Sequence, residues 1–171
     1  MPEIPSRRAA WQHGAVDEET VDYIAIRRLQ SAYADIVTRR AWPELEQIFL
    51  PDVGLVLDRR SGDPLVLTGP GPIGEFIARA IAGLDFFEFV VLNTTIALRH
   101  QGDADVAVAR MYMNELRHDA ASGRWNTVYG VYHDVHHRVG GRWWFSSRRY
   151  HSLARTARDM EVFPFPEGSQ W

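Results

Sequence analysis

Apolar positions change their spacing near the middle of the chain, and the change separates a helical half from a strand half. Ile26, Leu29, Tyr33, Ile36 and Val37 recur at intervals of three and four, which predicts an amphipathic helix. Asp17 suits its N-cap, Glu18 and Glu19 complement the first-turn dipole, and the helix ends near Arg39–Arg40. A short second helix follows, with Pro43 in its first turn and Leu45, Ile48 and Phe49 on its buried side. Val53–Asp58 reads as a strand, Arg59–Asp63 as a turn and Pro64–Thr68 as a second short strand. A third helix, Pro72–Ala82, opens on Gly-Pro and closes on Gly83. From Phe86 onward β-formers dominate, predicting four strands at about 86–100, 104–117, 124–139 and 142–150. The last two meet at Gly140-Gly141, a pair that tolerates the positive φ angles of a tight hairpin.

The connections between these strands are short enough for antiparallel neighbours, so the layout is α+β. Residues 1–16 read as an arm, 17–152 as one domain and 153–171 as a tail. The tail's Phe163, Phe165 and Trp171 predict that it packs on a pocket mouth or a neighbouring subunit. A chain of 171 residues is long enough to bury a sizeable core. With no cysteine, disulfides, thiolate metal sites and cysteine nucleophiles are excluded. A net charge of −3 with mixed signs argues against a nucleic-acid footprint. No apolar run reaches a membrane span, and the N-terminus lacks a signal-peptide core, so a cytoplasmic domain is the expectation.

Three groups of residues carry a resemblance. They are Ile26-x-x-Leu29-x-x-x-Tyr33 with Trp42 and Phe49-x-x-Asp52; Asn93-x-x-Ile96 with Gly102-Asp103; and Gly130-x-Tyr132-x-Asp134 with Arg138, Gly141-x-Trp143-x-Phe145 and Arg148. In order and spacing, over about residues 22–150, they resemble the SnoaL-like branch of the nuclear transport factor 2-like superfamily. The resemblance implies a cone-shaped α+β barrel of the cystatin-like kind: three helices packed on a curved, mostly antiparallel sheet around a cavity. Dehydratase-like members, scytalone dehydratase and hexachlorocyclohexane dehydrochlorinase among them, use an Asp–His pair. Here Thr38 stands at the Asp position and Phe89 at the His position. Neither side chain can perform the acid–base step, which is worth about 10²–10⁴-fold in rate.

What the resemblance leaves is Arg148, at the place of an arginine that stabilises departing negative charge, and Tyr132, at a cavity-lining place. Arg148 is alternatively the ion-pair partner of Asp134 or Glu115. Tyr132 is alternatively a plain core or surface tyrosine, since Tyr129, Val131 and Val135 make the other strand face the more apolar. Tyr33, Thr38 and Phe89 are expected along the pocket, with Asn93, Arg110 and Tyr112 as its polar end if their strand faces inward. Asp35 reads as the surface partner of Arg39, and Asp58 as a solvated carboxylate beside a turn. His133, His136, His137 and His151 invite a metal, but alternation parts His136 from His133 and His137, so no metal site is expected. The resemblance implies a small-molecule isomerase, dehydratase or cyclase working without cofactor on a hydrophobic oxygenated polyketide, steroid or aromatic. The alternative is a non-catalytic ligand-binding or assembly domain, like the β subunits of ring-hydroxylating dioxygenases. Trp143, Trp144 and Phe145 add the expectation of a homodimer or homotrimer interface.

Overall fold

A computed structural model describes residues 17–60, 62–156 and 159–166. The arm expected at 1–16 and Trp171 lie outside them. Helix α1 spans Glu18–Arg39 and begins as its sequence demands: the Asp17 side chain accepts from the Thr20 backbone N–H at 2.8 Å. A 3₁₀ turn, Trp42–Gln47, takes the place of the expected short helix and leads into strand β1, Phe49–Leu57. Strand β2 covers Leu65–Thr68. Helix α2 runs Pro70–Ala80, starting two residues earlier than the sequence suggested, because Pro70 and Pro72 both fall in the first turn, where no backbone N–H is required.

The strand half is longer than its sequence pattern predicts. Strands β3 (Leu84–Ala97), β4 (Val106–Asp119), β5 (Arg124–Val139) and β6 (Arg142–Thr156) form an antiparallel run, with β6 extending six residues beyond the expected end at 150. A short strand, β7 (Met160–Val162), was not foreseen in the tail; it pairs with the end of β6. The order across the sheet is β2-β1-β6-β5-β4-β3, with β1 parallel to β6 and every other pair antiparallel. Gly140 and Gly141 both take positive φ (60° and 76°), the turn their pairing predicts between β5 and β6. The whole is the cone of the expected α+β class: helices packed on one face of a curved, mostly antiparallel, unclosed sheet.

Helix α1 lies across the inner face of that sheet, burying Ile26, Leu29, Gln30, Tyr33, Ile36 and Val37. Its N-terminal half is tied to the β5–β6 hairpin through Asp22, which accepts from Trp143 Nε1 at 2.8 Å and from Arg138 Nη1 at 3.2 Å. The inner face cannot be read from simple alternation, because β6 carries two bulges. Val135 pairs with Ser147 but His136 with Phe145, leaving Ser146 extra; Tyr129 pairs with Ala154 but Gly130 with Ser152, leaving Leu153 extra. Each bulge reverses the parity of the strand. Trp143 and Phe145, then Arg148, Tyr150 and Ser152, are therefore all buried on the inner side. Trp143 and Phe145 belong to the chain's own core and Arg142 stacks 4.2 Å over the Trp144 ring, so these aromatics carry no argument for a subunit interface.

Gly130 is fixed by this packing. A Cβ there would lie 2.4 Å from the Tyr150 ring, so only glycine lets Tyr150 lie flat across β5.

Candidate functional site

A cavity of about 370 Å³ lies between the inner sheet face, the C-terminal half of α1 and helix α2. Its walls are apolar through Val37, Leu55, Phe76, Ile77 and Phe87. Its polar lining divides into two groups. Deep in the cone are the tyrosines Tyr33 and Tyr132, with Tyr150 beside Tyr132 at 5.1 Å between ring centres. The charged part of the lining is Asp58, Arg59, Glu115, Arg117 and Arg155, and Glu115 is close enough for its charge to act on all three phenols.

The deep group is built on a buried ion pair. Asp134 on β5 and Arg148 on β6 are direct cross-strand partners, with Arg148 Nε 2.8 Å from Oδ1 and Nη2 3.3 Å from Oδ2. Both side chains are at most 1% exposed. The guanidinium carbon sits 4.0 Å from the Tyr33 ring centre, 4.1 Å from Tyr132 and 4.5 Å from Phe145. Of the two partners foreseen for Arg148, Asp134 is thus the real one. Arg148 does not line the cavity: Tyr33 and Tyr132 do, and the cation lies against their rings. Burial pushes both phenols up, most of all Tyr132, with the Arg148 charge opposing it. Tyr150 is likewise pushed up to about 12, by burial and by the Glu115 charge. All three are neutral hydrogen-bond donors at physiological pH. Burial also raises the Asp134 carboxyl against the pull of Arg148; for Arg148, burial acts downward and is outweighed by Asp134 and the two phenols.

His136 lies one inward position along β5 from Asp134 and is fully buried against Phe145, at 4.7 Å between rings. Neither of its ring nitrogens has a hydrogen-bond partner, and burial, then the Arg148 charge, holds it down at about 3. On the outer face, His133 and His151 meet at 5.6 Å between ring centres, while His136 is parted from His133 as the strand alternation implies. Among the described residues no group of three or more His, Asp or Glu could hold a metal ion.

Thr38 and Phe89, which the sequence resemblance aligns with an Asp–His pair, do meet in space, but as a structural contact. Thr38 Oγ1 accepts from the backbone N–H of Phe89 at 3.0 Å, satisfying a donor of the edge strand β3. Phe89 itself packs edge-on against Tyr33 at 5.2 Å and lines the cavity.

Four expected pocket residues are not in the lining: Thr38, which is turned to the β3 backbone, and three that lie elsewhere. Asn93 is exposed at a bulge of β3 between Val91 and Thr94. Arg110 and Tyr112 are on the outer face, because Ala107, Ala109, Met111 and Met113 are the apolar set that turns inward on β4. There the tail covers them: the Phe165 ring lies 6.5 Å from Tyr112 and 5.9 Å from the Arg110 guanidinium. The tail thus packs on the outer sheet face. Glu115, Arg117, Tyr150 and Arg155 were missed as lining residues. Once Met111 and Met113 are known to point inward, the two-residue period carries Glu115 and Arg117 in with them.

The SnoaL-like domain family matches residues 18–149. A protein from Novosphingobium aromaticivorans DSM 12444, proposed to be a scytalone dehydratase, superposes with a TM-score of 0.72 at 18% identity, covering 90% of this chain and 97% of its own. Hexachlorocyclohexane dehydrochlorinase LinA-type3 from Novosphingobium barchaimii LL02 gives 0.71 at 17% identity, covering 86% and 97%. The Kfla4162 protein from Kribbella flavida gives 0.69 at 16%, covering 81% and 95%. At these identities the likeness is one of fold. Among curated proteins none matches. No helix among the described residues is long and apolar enough to cross a membrane. With well over half of its length matched, this chain belongs to the SnoaL-like domain family.

Proposed function

We propose that the chain binds a small, flat, mostly apolar oxygenated molecule in its cavity and catalyses a cofactor-independent isomerisation or dehydration of it. The observation that carries this reading is Tyr132: its neutral phenol lines an apolar cavity with a permanently charged guanidinium 4.1 Å beneath its ring. A phenol so placed donates a hydrogen bond to a substrate carbonyl, and the cation below favours the negative charge that develops on that oxygen. Glu115 supplies the base. It projects from the inner face of β4 into the lining with only its Oε2 held by Arg117, so that Oε1 would take the proton. Asp58, the other lining carboxylate, instead accepts from the Arg60 backbone N–H at 2.8 Å through Oδ1 and meets Arg60 and His151 through Oδ2. Glu115 would remove a proton from the carbon next to the polarised carbonyl. The enolate held by Tyr132 would then form the C=C bond as the β-hydroxyl leaves as water with the proton returned by Glu115, or, in an isomerisation, take that proton back at another carbon.

The test is turnover of β-hydroxyketones with an aromatic body, followed by the absorbance of the conjugated enone. Tyr132→Phe and Glu115→Gln should each slow it by about 10²-fold or more. Turnover that survives both substitutions would overturn the assignment. The bond between Thr38 and Phe89, which turns the usual catalytic positions into a strand anchor, favours a second reading: a ligand-binding or assembly domain without chemistry. Tight binding of the same compounds with no turnover would support that reading over the first.

A further inference from the structure

We infer that the cavity selects ligands carrying a carboxylate or similar anionic group at the end away from Tyr132. The inference rests on the small-molecule reading above and narrows it to a class of acid. Register places the charges together. Arg155 on β6 and Glu115 on β4 flank Val128 of β5 as its direct neighbours, and Arg117 follows Glu115 on the same face of β4. Arg59 comes from the end of β1, next to Asp58, whose N–H bonds to the Tyr150 carbonyl at 3.1 Å. Three guanidiniums therefore share this part of the lining with two carboxylates, Asp58 and Glu115.

Those carboxylates are already engaged. Asp58 Oδ2 lies 3.3 Å from Arg60 Nε and 3.5 Å from His151, and Glu115 Oε2 accepts from Arg117 Nε at 2.8 Å. Arg155 donates to Ser152 Oγ at 3.0 Å and rests 5.8 Å from the Phe163 ring. Glu161 faces Arg155 across the β6–β7 pair but is exposed and makes no ion pair with it. Among the described residues Arg59 and Arg155 have no carboxylate within ion-pair distance. A guanidinium beside an apolar cavity offers paired N–H donors that fit a carboxylate, with less screening than in open water. From Val128 to Tyr132 is four residues of strand, about 13 Å. The ligand that fits is an elongated aromatic or polyketide-like acid, its carboxylate toward Arg59 and Arg155 and its reacting oxygen toward Tyr132.

Calorimetric titration of the full chain near neutral pH with 2-naphthoate and with its neutral methyl ester tests this. The acid should bind about tenfold more tightly than the ester. Arg59→Gln and Arg155→Gln should each weaken the acid several-fold and leave the ester unchanged. Raising salt from about 50 to about 500 mM should narrow the gap. Arg59 is exposed, so its variant keeps the fold even if Arg155→Gln does not. Equal binding of acid and ester, or a preference that survives Arg59→Gln together with Arg155→Gln, overturns the inference while leaving the cavity reading in place. Binding of neither probe to the folded protein defeats both.

Discussion

The inner sheet face carries two arginine–carboxylate pairs that differ in almost everything except composition. Arg148 and Asp134 sit opposite each other on neighbouring strands, sealed from water and stacked among Tyr33, Tyr132 and Phe145. Arg117 and Glu115 sit on one strand, 30% and 13% exposed, along the cavity lining. The first pair has nowhere to exchange partners: desolvation of both ions is offset only by their mutual contact and the surrounding rings. The second keeps access to water and to whatever enters the cavity. The buried pair fixes where Tyr132 stands, and the lining pair meets the ligand.

The sharpest way to break this contrast is to remove one member of each pair. Arg148→Met leaves Asp134 buried and unpaired, and urea unfolding should show a loss of about 3–5 kcal/mol. Adding Asp134→Leu should restore most of it, since the apolar pair has no uncompensated charge. Arg117→Gln should change stability by less than about 1 kcal/mol, because a half-open pair is screened by solvent. Comparable losses at the two sites would mean that the pairs are not distinct in kind.

A smaller effect sharpens the same contrast through pH. His136 is buried beside Arg148 with its pKa held at about 3, against 6.5 when unfolded. Below 6.5 the unfolded chain takes up a proton that the folded chain refuses, so stability is complete above 6.5 and falls as pH drops toward 3. Taken to the end of that window, the loss from His136 alone is on the order of a few kcal/mol. His133, held at about 4 chiefly by burial, and His151, also lowered, act in the same direction from the outer face. Chemical denaturation at a series of pH values should therefore show a slope that shrinks in His136→Leu. An unchanged slope would assign the acid sensitivity to the outer histidines.

Local signals in the sequence predicted elements well and faces poorly. Asp17 before an apolar stripe and Gly140-Gly141 between β-formers each act within a few residues, and both appear in the fold where they were expected. Which way a strand residue points depends on bulges and pairing that no short window contains. Simple alternation along β6 would set Trp143, Phe145 and Ser147 on one face, yet the extra residue Ser146 brings Arg148 inward instead. On β4 both sets of alternating positions contain aliphatics, Val106 and Val108 against Ala107 and Ala109, so the outward turn of Arg110 and Tyr112 was not legible. Glu115, Arg117 and Arg155 were missed for the same reason. Their common place in the lining is a product of register across three strands.

The smallest expected effect concerns the place where the family's catalytic pair would stand. Thr38→Val keeps the shape of the side chain and removes the acceptor for the Phe89 N–H, at a strand that is the sheet's edge among the described residues. The loss should be about 1 kcal/mol in urea unfolding, and Thr38→Ser should recover most of it, because the hydroxyl rather than the methyl is what the strand uses. Hydrogen exchange at the Phe89 amide gives a local readout: protection should fall in the valine variant and persist in the serine one. If both variants match the parent, the hydroxyl at position 38 is incidental and this position has only lost a role. If they separate as expected, it has gained one, and the contact between α1 and β3 pins the cavity wall.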